Sequence, residues 1–131
     1  MNPLTERLRG AGISPTRQRR EIARALLARP VHMTAEQVLN AARVRAPEIS
    51  RATVYNTLAL FCAKGLLREL AVDRDRVVYD SGLHPHHHLI DIDSGEVRDL
   101  PAGPWPAIDP AQLPPGFELA GVEVIVRVRR R

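Results

Sequence analysis

Imidazole side chains crowd one stretch of this chain. Residues 81–93 read Ser-Gly-Leu-His-Pro-His-His-His-Leu-Ile-Asp-Ile-Asp, and four of the five histidines, His84, His86, His87 and His88, fall there. Neutral imidazole is the commonest metal-ligating group, and carboxylates flank this run on both sides. The run is short, internal and interrupted by Pro85, which argues against an expression tag. A polar loop is the plainer reading. If 86–91 is extended, His86 and His88 share one face and His87 takes the other. Three histidines with carboxylates can also activate a water. No acid or base partner stands beyond those ligands, so the chain is not expected to be an enzyme. Metal storage or trafficking is a third class to weigh.

The elements that must position these groups divide by charge. Residues 1–70 carry twelve basic and five acidic side chains, whereas 71–131 carry seven and ten. A basic half joined to an acidic half points to a polyanion-binding module beside a module of another kind. The 131 residues suffice for one domain or two small ones. The single cysteine, Cys62, excludes an internal disulfide framework and a cysteine-pair zinc knuckle. Nothing resembles a membrane span or a secretory segment, so a cytoplasmic protein without membrane contact is expected.

Helical periodicity dominates the first half. Residues 3–10 allow a short amphipathic helix, and a second runs over 17–29 from a start at Ser14-Pro15-Thr16. A third begins near Met33, with Thr34 as N-cap and Gln37 completing a capping box, and runs to about residue 46. The fourth follows Ser50. Its Val54, Leu58, Phe61 and Cys62 form a core-facing stripe, and Gly65 suits the C′ position. Arg51, Tyr55 and Asn56 lie away from that stripe. The period then shortens to two, predicting strands over 66–72 and 76–80 joined as a hairpin.

Helices followed by a hairpin is the order of a winged helix-turn-helix, with 50–64 as recognition helix and the hairpin as wing. An all-α bundle with an incidental hairpin is the competing reading. The predicted fold class is α+β: a winged-helix DNA-binding domain over 1–81, then a small, mostly β dimerisation domain over 82–131. In the second part, 86–91 and 96–100 read as strands around a Ser94-Gly95 turn. Six of the eleven prolines fall in 101–115, and a strand is expected over 117–128 with a bend at Gly121. So small a sheet is expected to be completed across a dimer.

Four motifs in register make the chain resemble the ferric uptake regulator family: Pro15-Thr16-Arg17-Gln18-Arg19, His32-Met33-Thr34-Ala35-Glu36, Ala52-Thr53-Val54-Tyr55-Asn56-Thr57-Leu58 and His86-His87-His88-Leu89-Ile90. The resemblance implies a homodimeric, metal-responsive transcriptional regulator that binds an inverted-repeat operator in double-stranded DNA. It implies a thymine contact for Tyr55. Arg17, Arg19, Arg51, Thr53 and Asn56 complete the candidate DNA-contact set, Arg51 in a base-edge or phosphate role. By position it makes His32, Asp80, His86, His88 and Asp99 the regulatory metal ligands. Their oxygen share favours Mn or Fe, with Zn able to occupy the site in vitro.

The departures carry as much information. Asp91 and Ser94 stand where the family's structural zinc has Cys-x-x-Cys, so no cysteine-type zinc site is expected. A further family site keeps only His87, with Pro85, Val122 and Arg129 at its other positions. These features, with Pro115-Gly116-Phe117-Glu118 and the arginine-rich end, resemble the iron response regulator subgroup. Haem at His86, His87 and His88 is therefore an alternative to metal, and iron or haem control of genes is implied. The five ligands also resemble the peroxide-sensing branch, which gives the alternative of a repressor acting through metal-catalysed histidine oxidation.

Overall fold

Ser, Thr and Asn residues begin each of the four α-helices among the described residues. Asn2, Thr16, Thr34 and Ser50 cap α1 (Pro3–Gly10), α2 (Arg17–Leu27), α3 (Ala35–Arg43) and α4 (Arg51–Ala63) by accepting a first-turn backbone N–H. Thr34 and Gln37 form the reciprocal capping box that the spacing predicts. The computed structural model describes residues 2–72, 75–82, 87–100 and 108–131. His84, Pro85 and His86, residues 73–74 where the hairpin turn is expected, and residues 101–107 lie outside them.

The chain forms two units, Met1–Leu83 and His84–Arg131. In the first, the helices enclose an aliphatic core in which Leu8, Ile22, Leu26, Val38, Ile49, Val54, Leu58 and Phe61 are each 0% exposed. The stripe expected on α4 is thus buried, although Cys62 only partly so. Gly65, at φ +75°, ends α4 in a Schellman motif: its N–H donates to Cys62 and that of Leu66 to Phe61. A three-stranded sheet completes the unit in the order β1 (His32–Met33), β3 (Val77–Asp80), β2 (Arg68–Ala71), all antiparallel. This is a winged helix-turn-helix, with β2 and β3 as the wing.

Several sequence expectations shift here, beginning with α2, which ends at Leu27 rather than at residue 29. Met33 belongs to β1 rather than to the third helix, because its backbone pairs with Tyr79 across the sheet and leaves Thr34 to start α3. That helix ends at Arg43, before residue 46. The first hairpin strand begins at Arg68 rather than 66, since the Leu66 N–H is spent closing α4.

The second unit is a sheet in the order β5 (Val97–Leu100), β4 (His87–Asp91), β6 (Ile125–Val128), with β4 antiparallel to β5 and parallel to β6. The strand expected over 117–128 contracts to β6. The five-residue β4 offers pairing only from His88 opposite Ile125 to Asp91 opposite Val128. Ahead of β6, within 110–124, the chain makes a 3₁₀ turn at Pro110–Gln112 and then runs without a ladder.

Candidate functional sites

Each unit holds an imidazole beside a carboxylate. In the first, β1 and β3 set His32 directly opposite Asp80, with Nε2 of the histidine 3.5 Å from Oδ2 of the acid. Asp80 is 2% exposed. Its other oxygen accepts from the Gly82 N–H at 2.8 Å, and the Arg68 guanidinium stands 3.6 Å from Oδ2. The buried carboxylate is thus flanked by an arginine and an imidazole.

In the second unit, β4 and β5 set His88 opposite Asp99. His88 is fully buried, with Nε2 3.9 Å from the Asp99 carboxylate. Nδ1 of the same ring lies 2.9 Å from Oε1 of Glu123, an acid just ahead of β6. Sequence reading misses Glu123, because no local pattern shows which residue of a parallel neighbour will face His88. His87 turns to the other face of β4, as alternation requires, and its Nδ1 accepts the Val124 N–H at 3.0 Å. That bond places the ring proton on Nε2. His86, the remaining ligand candidate, lies outside the described residues.

The turn expected at Ser94-Gly95 is organised by Asp91. Its Oδ1 accepts the N–H groups of Asp93 and Ser94 at 2.9 and 3.2 Å, and Oδ2 accepts from Arg130 at 3.2 Å. The two backbone donors, and then Arg130, hold this carboxyl below the usual carboxylate range. Cys62 offers no activated thiol, since burial, with Glu69 adding to it, pushes its pKa up.

On α4, Arg51, Tyr55 and Asn56 are exposed, Tyr55 at 49%. Tyr55 lines a cleft of about 470 Å³ together with Thr34 and Glu36 at the start of α3 and Arg76, Val77 and Tyr79 of the hairpin. The sequence-selected arginines are engaged. Arg51 pairs with Glu36, Arg17 pairs with Glu48 and donates to the Arg45 carbonyl, and Arg19 donates to the Ser14 carbonyl at 3.0 Å. Thr53 is partly buried and its Oγ1 accepts from the Ser50 hydroxyl. No helix among the described residues is long and apolar enough to cross a membrane.

Comparison with known proteins adds an independent line. The family model described as the Ferric uptake regulator family matches residues 10–126. The chain is 37% identical over 93 residues to the peroxide-responsive repressor PerR of Staphylococcus aureus, a match covering 71% of this chain. It spans only 63% of that relative's length. Among solved structures, it resembles the ferric uptake regulator of Pseudomonas aeruginosa with manganese, at 28% identity and a TM-score of 0.72, over 99% of both chains. It also resembles a zinc-bound manganese uptake regulator, at 26% identity and a TM-score of 0.72, over 99% of this chain and 100% of that one. A winged helix with an exposed tyrosine, a β-rich second unit and a family match across nearly the whole length agree: the chain belongs to the ferric uptake regulator family.

Proposed function

We propose that this protein is a metal-responsive, homodimeric transcriptional regulator, acting in the cytoplasm, that binds an inverted-repeat operator through α4. The observation that carries the reading is the imidazole–carboxylate pair in each unit, His32 with Asp80 and His88 with Asp99. Nitrogen and oxygen donors in this mixture suit Mn or Fe, with Zn a competitor. His32, Asp80, His86, His88 and Asp99 would hold the ion, which supplies coordinate bonds joining a wing-side pair to a β-unit pair. The chain's own residues do the rest. The β1–β3 register holds His32 and Asp80, β4 and β5 present His88 and Asp99, and the exposed face of α4 meets the duplex. Such a link would set how the two recognition helices of a dimer are spaced on DNA.

Iron or haem status is the signal we favour, as in the iron response regulators. Asp91 and Ser94 support it, forming a hydrogen-bonded turn where cysteines would otherwise stand. For haem, His87 would first have to give up the Val124 N–H that its Nδ1 accepts. The second reading is peroxide sensing, favoured by the 37% identity to a peroxide-responsive repressor.

Duplex binding by the purified protein with Mn, Fe(II) or haem added separately tests the proposal. Ligand-dependent binding that weakens in Tyr55→Ala and loses its ligand dependence in His32→Ala supports it. Binding indifferent to all three ligands overturns the metalloregulator reading. Mass spectrometry of the ferrous protein after peroxide separates the signals: an added oxygen on His32 or His86 marks the peroxide sensor.

A further inference from the structure

The face of α4 turned toward a duplex is not purely basic. Glu36, in the first turn of α3, pairs with Arg51, the first residue of α4 and one helical turn from Tyr55. It also lines the cleft that Tyr55 shares with the hairpin. Arg17, at the start of α2, is held in the same manner by Glu48. The Arg51 and Glu36 side chains are 58% and 54% exposed, so solvent screens the pair and its partners exchange readily.

We propose that Glu36 determines specificity for double-stranded DNA by competing with phosphate for Arg51, an inference that rests on α4 being the duplex-contacting helix. Sequence-independent binding comes from cations that neutralise phosphates and release counterions. An arginine already paired to a carboxylate drops out of that count. A duplex that seats Tyr55 on its base edges is held in one register by those contacts, and Arg51 keeps its Glu36 pair there. A duplex without them is held by phosphate neutralisation alone, from which the Glu36 pair withholds Arg51. Glu36 thus holds down binding to wrong sequences more than binding to the right one.

Glu36 also places negative charge in the first turn of α3, where it favours the helix. Two substitutions separate the roles: Glu36→Gln removes the charge, and Glu36→Asp keeps it. The full chain is assayed with Mn over a salt series against two duplexes, one enriched from a random library by the unaltered protein and one scrambled. Glu36→Gln is expected to tighten the scrambled duplex about two- to five-fold, the scale of an exposed ion pair. It should steepen the log–log salt dependence by about 0.9, equivalent to one more neutralised phosphate. The enriched duplex should gain less, so discrimination falls, while Glu36→Asp retains it. With Arg51→Ala already present, Glu36→Gln should change neither duplex. Equal gains on both duplexes, or a gain that survives Arg51→Ala, overturn the inference. So does a lowered melting temperature with discrimination unchanged, which leaves Glu36 a purely structural residue. If the unaltered protein enriches no duplex, the DNA-binding reading falls first and this one with it.

Discussion

Glu123 puts a carboxylate oxygen 2.9 Å from Nδ1 of His88, while the opposite nitrogen of that ring lies 3.9 Å from Asp99. A hydrogen bond closed across that 2.9 Å approach would put the ring proton on Nδ1 and leave Nε2 with its lone pair, the form a metal ion accepts. Glu123→Gln should therefore weaken Mn binding by about ten-fold or more without unfolding the sheet. Electron paramagnetic resonance of free Mn(II) during titration measures it. Unchanged affinity would show that Glu123 is a bystander.

Asp91 makes acid stability a sensitive readout of the second unit. Its carboxyl titrates below the ordinary carboxylate value because the Asp93 and Ser94 N–H groups, and then Arg130, favour the ionised form. With the folded pKa below the unfolded one, the stabilisation is full above the unfolded value of about 3.9 and is lost as pH falls through the folded pKa. Melting temperature followed from pH 6 to pH 2 should fall across that window. Asp91→Asn keeps an acceptor for the turn but loses the charge, so it should flatten the dependence. Asp91→Ala should melt lower still at neutral pH.

Tyr55 and Phe61 lie on one helix with opposite duties. Phe61 is 0% exposed and Tyr55 49%, so Phe61→Ala should cost about 3–5 kcal/mol in urea denaturation. Tyr55→Ala should change stability by no more than about 0.5 kcal/mol, while weakening binding to a specific duplex. A Tyr55→Ala protein that binds the duplex normally would move the recognition surface elsewhere.

Gly65 tests the end of α4 through the backbone alone. A Cβ there would meet nothing within 4 Å, yet φ is +75°. Gly65→Ala should therefore cost about 1–2 kcal/mol from left-handed strain rather than from a clash. A larger loss would mean that the wing, which starts three residues later, is dislodged as well.

Local chemistry made much of the first unit legible. N-caps at Thr34 and Ser50, the Thr34–Gln37 box, the α4 stripe and Gly65 act within a turn or two of chain, and they read correctly. The start of α2 was legible only to within Ser14-Pro15-Thr16, Thr16 being the cap and Pro15 lying ahead of it. The family was legible for the same reason, since its motifs are short and contiguous. What escaped were pairings between distant segments. The two-residue β1 exists only because β3 lies beside it, and β6 is trimmed to the four positions of β4 that pair with it. Glu123 escaped in the same way. Of the candidate ligands, alternation along β4 separated His87 from His88, but neither the His32–Asp80 register nor the His88–Asp99 register has a signature in local sequence. Nor does the pairing of Arg51 with Glu36.

The brevity of β1 leaves no slack in the chain. His32 and Met33 are clamped to β3, and the next residue, Thr34, is already the cap of α3. Glu36 follows two positions on and holds Arg51 at the head of α4. A hinge loop could absorb a shift at His32, but none intervenes. A metal ion held by His32 would therefore pull on a short, fully structured run of backbone that leads through Thr34 and Glu36 to Arg51.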